Sequence, residues 1–510
     1  MMTILTKFSD KRRLVLLFAL VVGLLYLLYF VRAAQQVQDD TDNAYLRYLP
    51  TIASTHTADL PVAGRQQQAG AMAANASETM AGVMVDTTED YKALGYTDNR
   101  KIVRDDDGDL YIAYRKKWQG QYRIFIAKST NEGKRWQVLN GNKPIETVGD
   151  YTQRVPSLTI GPNSKNDGNF LHLVWYGNDQ EHPGNERQIK YLRLTTTGKR
   201  STDNCCDLNI NIAGYDGQRL WQEHPAIYGN GSNVYIVWEG RDPTTTNAKI
   251  KFVRSTDFGR TWSETIDIAP SKRISFSRPT LAVAYRAEER QLYVVAYGES
   301  NKVGQVYWTR SLDHGDHGAS WEEWQAIAPG PRDQRHITMA RDANDQLHIV
   351  WREATATQTT VLRYRIFDPT LANGVGTWVA AAETIATRNG ACLFFPSVAL
   401  DSSNQVWVVW TESSDCHTVP SDDPTSGQIV YRVKAANGRW GASTPLTTAG
   451  AHLYASFRSI HTPSNTTMDL VWLDVTACAK MQEPNEEQET NEETDTTAQI
   501  ACVIRYTSLP

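Results

Sequence analysis

The sequence predicts an all-β protein: a seven-bladed β-propeller with Asp-box turns, preceded by one N-terminal transmembrane helix. Three observations predict it. One apolar five-residue strand recurs seven times at near-constant spacing, several copies lead into turns of a single S-x-D-x-G-x-T-W pattern, and one charge-free apolar run lies near the N-terminus.

Residues 1–13 form a cytoplasmic N-terminus ending in Lys11, Arg12 and Arg13, and Leu14 to Val31 follow without a charge. A run of that length approaches the roughly 20 residues that cross a bilayer core, and its cationic flank places everything after Arg32 outside the cytoplasm. The competing reading is a cleaved signal peptide, for which Ala33 and Ala34 supply small residues, although the run exceeds the about 7–15 residues of an ordinary signal core. Both readings export the body, so the expected location is the cell membrane, single-pass, with the propeller on the extracytoplasmic side. Residues 32–79, rich in Gln, Ala, Thr and Asp, read as a stalk.

Residues 80–510 carry the repeat. Its strand ends at Tyr114, Trp175, Trp238, Ala296, Trp351, Trp410 and Trp472, so successive copies lie 55 to 63 residues apart. Upstream of each copy comes a short strand, often marked by proline, as in Arg154-Val-Pro-Ser-Leu, His224-Pro-Ala-Ile and Phe395-Pro-Ser-Val. A turn rich in Asp, Asn and Gly separates the two, and an alternating strand such as Ile250 to Ser255 follows, its period of two marking one buried face. Four strands per unit, repeated radially, make propeller blades. The seventh repeat runs out after its third strand, Ile500 to Thr507. The extended segment Gly82 to Asp86 is therefore expected to supply the missing strand and close the ring.

Ser255-Thr-Asp-Phe-Gly-Arg-Thr-Trp262 fits the Asp-box pattern at every defined position, Ser129 to Trp136 is a near copy, and Ser311-Leu-Asp-His-Gly opens a third. Degenerate forms remain at Asn437 to Trp440 and at Gly376 to Trp378. The Asp accepts turn N–H groups, Gly allows positive φ, and Trp is expected to pack under the next strand, so the box reads as a folding staple.

The six cysteines fit an oxidising compartment. Cys392 with Cys416, and Cys478 with Cys502, flank hairpins and form two plausible disulfides; adjacent Cys205 and Cys206 suggest a vicinal bridge or two thiols. Neither metal nor cofactor is expected, because no cysteine pair has Cys-x-x-Cys spacing. Residues 481–498 form an acidic insertion with seven acids and no base, which reads as a solvated hairpin tip; docking to a basic partner or weak calcium binding are the alternatives. A net charge of −5 gives no reason to expect nucleic acid.

The Asp boxes in repeated blades resemble the sialidase superfamily of propellers, the BNR-repeat proteins, over roughly residues 97 to 510. That resemblance implies a carboxylate-gripping arginine in Gln153-Arg154-Val-Pro-Ser157, with Gln where the family has an aromatic residue. It also implies an acid/base at Asp179, further arginines at Arg335 and Arg458, and a tyrosine nucleophile at Tyr454, for which no activating Glu is marked. Familiar sialidases have six blades, and this chain counts seven.

Apart from any family, Arg154, Glu223 with His224, Arg278, Arg335 with His336, Phe394 and Arg458 mark the starts of the blades' first strands. These strands face the channel, so the residues would form a polar, cationic funnel for an anionic or polyhydroxylated ligand. The bland alternative is pairing with Glu239, Glu299, Glu353 and Glu412, which follow the apolar strands. The expected function is a membrane-anchored, sialidase-like binding or assembly module for protein or glycan at the channel mouth. The alternative is an exo-sialidase-type glycoside hydrolase.

Overall fold

The computed structural model describes residues 82–509 apart from loop segments, the longest being 200–207, 211–220, 417–423, 459–466 and 479–500. The expected transmembrane segment 14–31, the stalk, Cys205 with Cys206 and the acidic insertion 481–498 lie outside the described residues. Among those described, no helix is long and apolar enough to cross a membrane.

Seven antiparallel sheets form the ring, each built from strands in sequence order except at the closure and in the fifth, where Glu383–Asn389 also pairs with Thr359–Asp368. In blade 3, for example, Trp221–Asn230 pairs with Asn233–Arg241, which pairs with Lys249–Ser255, which pairs with Ile266–Asp267. First strands of successive blades touch around the channel. Each first strand runs from what we term the upper face to the lower face, where a hairpin returns it as the second strand. The apolar repeat is that second strand, and Trp175, Trp238, Trp351, Trp410 and Trp472 at its upper end are fully buried.

Closure follows the expected route. Val83–Thr88 pairs with Cys502–Leu509 as the outermost strand of blade 7. Both expected disulfides, Cys392–Cys416 and Cys478–Cys502, are present.

The Asp boxes lie on the lower face and act as staples. Asp257 accepts the N–H groups of Arg260 and Thr261 and the Thr261 hydroxyl, and the Ser255 Oγ accepts the Gly259 N–H at 2.8 Å. Ser129 with Asn131 and Ser311 with Asp313 repeat the pattern. Their tryptophans correct the expectation of packing under the next strand: they reach back to the preceding blade. Trp262 packs on Tyr191, Trp321 on Phe252 and Trp136 on Tyr506, at 4.8–5.3 Å between ring centroids. Gly259 makes this approach possible, since a Cβ there would lie 1.9 Å from the Tyr191 hydroxyl. Each box therefore clamps two blades rather than one.

Blade 1 departs from the pattern, and the departure shapes the channel. Its first strand is only Ile102–Arg104. The preceding described residues, 89–97 with 100 and 101, lie at the centre of the ring instead. Thr97 donates to the Pro396 carbonyl of blade 6 at 2.7 Å, Lys101 donates to the Pro156 carbonyl of blade 2 at 2.5 Å, and the buried pair Asp90–Arg115 ties the entry of the segment to blade 1. Gly95, at φ +58°, lets the segment lie on Val155, where a Cβ would sit 2.4 Å from a methyl group. A left-handed alanine costs about 1–2 kcal/mol and overpacking about 1–3 kcal/mol. Gly95→Ala is accordingly expected to destabilise the ring by about 2–4 kcal/mol in urea unfolding, and a loss under about 1 kcal/mol would mean that the segment does not seat there.

Candidate functional site

Six first strands, those of blades 2 to 7, skip register just below the upper face. In five of them the residue at the bulge is left-handed and is not glycine: His224 at φ +49°, Arg278 at +48°, His336 at +52°, Phe395 at +48° and Tyr454 at +55°. Such backbone costs on the order of 1–3 kcal/mol per residue and persists only where surrounding structure enforces it; bulges of this kind re-aim side chains and gather at functional sites. Four of these five side chains meet Tyr96, and His336 stacks on Phe395 beside it.

Tyr96 is the hub of the collar. Its ring lies 5.4 Å from His224, 5.6 Å from Phe395 and 6.3 Å from Tyr454, and the Arg278 guanidinium sits 3.7 Å from its centroid. The expected funnel is thus narrowed by the chain's own aromatic residue. What remains open is a cleft of 120 Å³ beside Tyr96, lined by Arg278, Arg335, His336 and Tyr297 among others. Arg335 lies over the Tyr297 ring at 5.4 Å and pairs with Asp333 at 2.7 Å. His336 stacks on Phe395 at 4.5 Å.

Two proton-carrying side chains of the mouth meet carboxylates. His224 Nδ1 lies 3.0 Å from Glu239, which also accepts the Arg278 N–H at 3.2 Å. Burial by itself would raise the Glu239 carboxyl, but His224 and Arg278 outweigh it and hold the group below the usual carboxylate range. The Tyr297 hydroxyl donates to Glu299 at 2.8 Å. Burial raises the Tyr297 pKa, Arg335 opposes that, and Glu299 raises it again, so the phenol stays well above its ordinary value.

The structure brings Arg278, Arg335 and His336 together in one cleft, with His224 across Tyr96. Other sequence-selected residues stand apart. Arg458 is corrected: it follows Phe457 at the lower end of its strand and belongs to the opposite mouth, paired with Asp469 at 2.6 Å. The residue of blade 7 equivalent to His224 and His336 is Tyr454, where Ala455 replaces the proline that marks this position in four other blades. Tyr454 itself is 1 % exposed and packs on Phe395 at 4.9 Å, a wall of the collar rather than an accessible nucleophile. Asp179 sits after the second strand of blade 2, as expected, but is buried against Lys190 at 2.5 Å. Arg154 stays half-buried at the start of blade 2. Glu223 is held by Arg187 and the Trp221 indole. Of the four acids weighed as partners, Glu239 meets His224 and Glu299 accepts from Tyr297, while Glu353 and Glu412 engage Arg332, Arg363 and Arg388. Glu223, His224 and Glu239 place ligand atoms within 4.8 Å of one another, yet Arg187 already occupies Glu223, which disfavours a cation there.

Tyr96, Tyr297 and Phe395 escaped sequence reasoning. Tyr96 lies in a stretch without repeat or motif, while Tyr297 follows Ala296, the one repeat copy that lacks its terminal aromatic.

No protein family and no curated protein matches the chain. Solved structures similar to it include a protein of unknown function from Dyadobacter fermentans, at 17 % identity over 69 % of this chain and 98 % of that one, TM-score 0.45. An ulvan lyase bound to a saccharide matches at 12 % identity over 77 % and 92 %, TM-score 0.46. The intramolecular trans-sialidase from Ruminococcus gnavus matches at 10 % over 75 % and 92 %, TM-score 0.35. The ring is a seven-bladed β-propeller stapled by Asp boxes.

Proposed function

We propose that the upper mouth recognises an acidic saccharide, whose carboxylate is received by Arg278 and Arg335 and whose ring lies against Tyr297. The observation that carries this reading is the shared cleft of those three residues beside Tyr96, assembled by backbone held left-handed at Arg278 and His336. Two guanidiniums favour a carboxylate over a neutral sugar by charge-assisted hydrogen bonds, and aromatic faces suit the apolar side of a pyranose. In this proposal residues 14–31 tether the chain to a membrane, and the ring works outside the cytoplasm as a binding module for glycan or glycosylated partners.

Calorimetric titration with sialyl- and uronyl-oligosaccharides against their neutral counterparts tests it. Acidic sugars are expected to bind more tightly, and Arg278→Ala or Arg335→Ala to weaken them by about tenfold or more, the scale of one hydrogen bond to a charged group. Equal affinity for neutral and acidic sugars would end the proposal.

A second reading, hydrolysis of sialidase type, is favoured by one contact, Tyr297 with Glu299 beside Arg335. It requires the Tyr297 oxygen to bond the anomeric carbon as the bond to the aglycone oxygen breaks, the phenol proton passing to Glu299 and a solvent proton to the departing aglycone, and the raised phenol pKa weighs against that step. A fluorogenic sialoside cleaved by the wild type and not by Tyr297→Phe would favour the enzyme over the binder.

A further inference from the structure

Glu239 stands where blade 3 meets blade 4. It follows Trp238 at the upper end of the strand Asn233–Arg241 and is 9 % exposed. One of its oxygens, Oε2, serves both blades: it lies 3.0 Å from His224 Nδ1 in its own sheet and accepts the Arg278 N–H of the next at 3.2 Å. Both partners are left-handed bulge residues. At the same strand position the other six blades carry no acid, and Glu353 and Glu412, one residue further along, fall on the opposite face of their strands.

A left-handed residue with a side chain holds that conformation only where its surroundings enforce it. The enforcing contact at two bulges comes from the preceding blade: Phe395 N–H in blade 6 meets His336 Nδ1 of blade 5 at 3.4 Å, and Arg278 N–H in blade 4 meets Glu239 of blade 3. The second acceptor is a carboxylate, so its hydrogen bond is the stronger of the two. The backbone held in this way decides where the arginine side chain goes. Its guanidinium lies 3.7 Å from the Tyr96 centroid and lines the cleft with Arg335.

We propose that Glu239 is a positioning residue for the upper mouth: its Oε2 pins the Arg278 backbone across the blade seam, and thereby places the guanidinium that receives the ligand carboxylate. The inference rests on the acidic-saccharide reading of the cleft. It adds a residue that acts on the saccharide through Arg278 and not by contact with the saccharide.

The test is a double-mutant cycle on the full chain, read by calorimetric titration with 3′-sialyllactose against lactose and with trigalacturonate against its methyl ester. Glu239→Leu is expected to weaken binding of the acidic sugars by about tenfold or more and to narrow their margin over the neutral ones. Glu239→Gln keeps an oxygen that accepts both bonds, and should restore affinity to within about threefold of the wild type. In an Arg278→Ala background, Glu239→Leu should have less than about a twofold further effect, because the group it positions is gone. Losses that multiply in the double variant would overturn the inference, as would a glutamine variant as weak as the leucine one. If Glu239→Leu does not fold, Glu239→Asp takes its place in the cycle with the same outcomes, since it keeps the charge and draws the oxygen back by one methylene. A wild type that binds acidic and neutral sugars alike would end the saccharide reading and this inference with it, whereas a wild type that discriminates while the cycle is additive would end this inference alone.

Discussion

Replacement of Asp469 by alanine is expected to lower the stability of the ring by about 3–5 kcal/mol, the scale for removing one partner of a buried ion pair. Asp469 is fully buried where blade 7 meets blade 1. It accepts Arg104 through two bonds of 3.0 and 2.6 Å and the Tyr506 hydroxyl at 2.7 Å, and it forms an ion pair with Arg458 at 2.6 Å. Burial lowers the pKa of both guanidiniums, but Arg104, with its paired bonds, ends above its ordinary value, while Arg458, facing Arg104 as well, ends below. Alanine would leave both buried cations without this shared carboxylate at the seam where the last blade meets the first. Asp469→Asn keeps the shape and loses the charge, so an intermediate loss is expected. Urea unfolding measures both; a loss below about 1 kcal/mol for alanine would show that the seam is held by its strands alone.

Acidification should have a comparable effect. His172 is 1 % exposed, its Nδ1 lies 2.7 Å from the Tyr191 hydroxyl, and burial, helped by Arg193, pushes its pKa down to about 3. In the unfolded chain the same imidazole takes a proton near pH 6.5. Between those values the unfolded state binds the extra proton, so stability is complete above pH 6.5 and falls as pH drops, by up to about 1.4 kcal/mol per pH unit for the one group. The His452 pKa is lowered too and adds in the same sense. The carboxyls of Glu239, Asp257 and Asp474 are held below their ordinary values, so their contributions are present above about pH 4 and are lost as pH falls through the depressed values. Urea midpoints at pH 7.5 and 4.5 should therefore differ by a few kcal/mol in free energy, and His172→Gln should flatten the upper part of the curve. A profile unchanged from pH 7.5 to 5 would mean that His172 is protonated in the folded ring.

The architecture was legible because its signals repeat. Trp175, Trp238 and Trp351 end strands of one pattern, and a strand missing after Thr507 pointed back to Val83 because a closed ring tolerates no unpaired edge. The disulfides were legible because Cys392 and Cys416 bracket a hairpin. The mouth was less so. Its defining feature is backbone conformation at His224, Arg278, His336, Phe395 and Tyr454, five residues of four types, none of them the glycine that ordinarily announces positive φ. Arg458 was assigned to the wrong end of its strand because Ala455 hides the proline register. Tyr96 fills the collar from a segment with no counterpart elsewhere in the chain, so periodicity had nothing to say about it.

The outermost strand of blade 7 also decides which way the protein looks. Val83 pairs with Tyr506, and Met468 at the lower hairpin pairs with Leu509. Gly82 and Leu509 thus both leave the ring on the lower side, while the collar opens on the upper. A surface coupled directly at Leu509 would therefore hold the ring by the face opposite the arginine cleft.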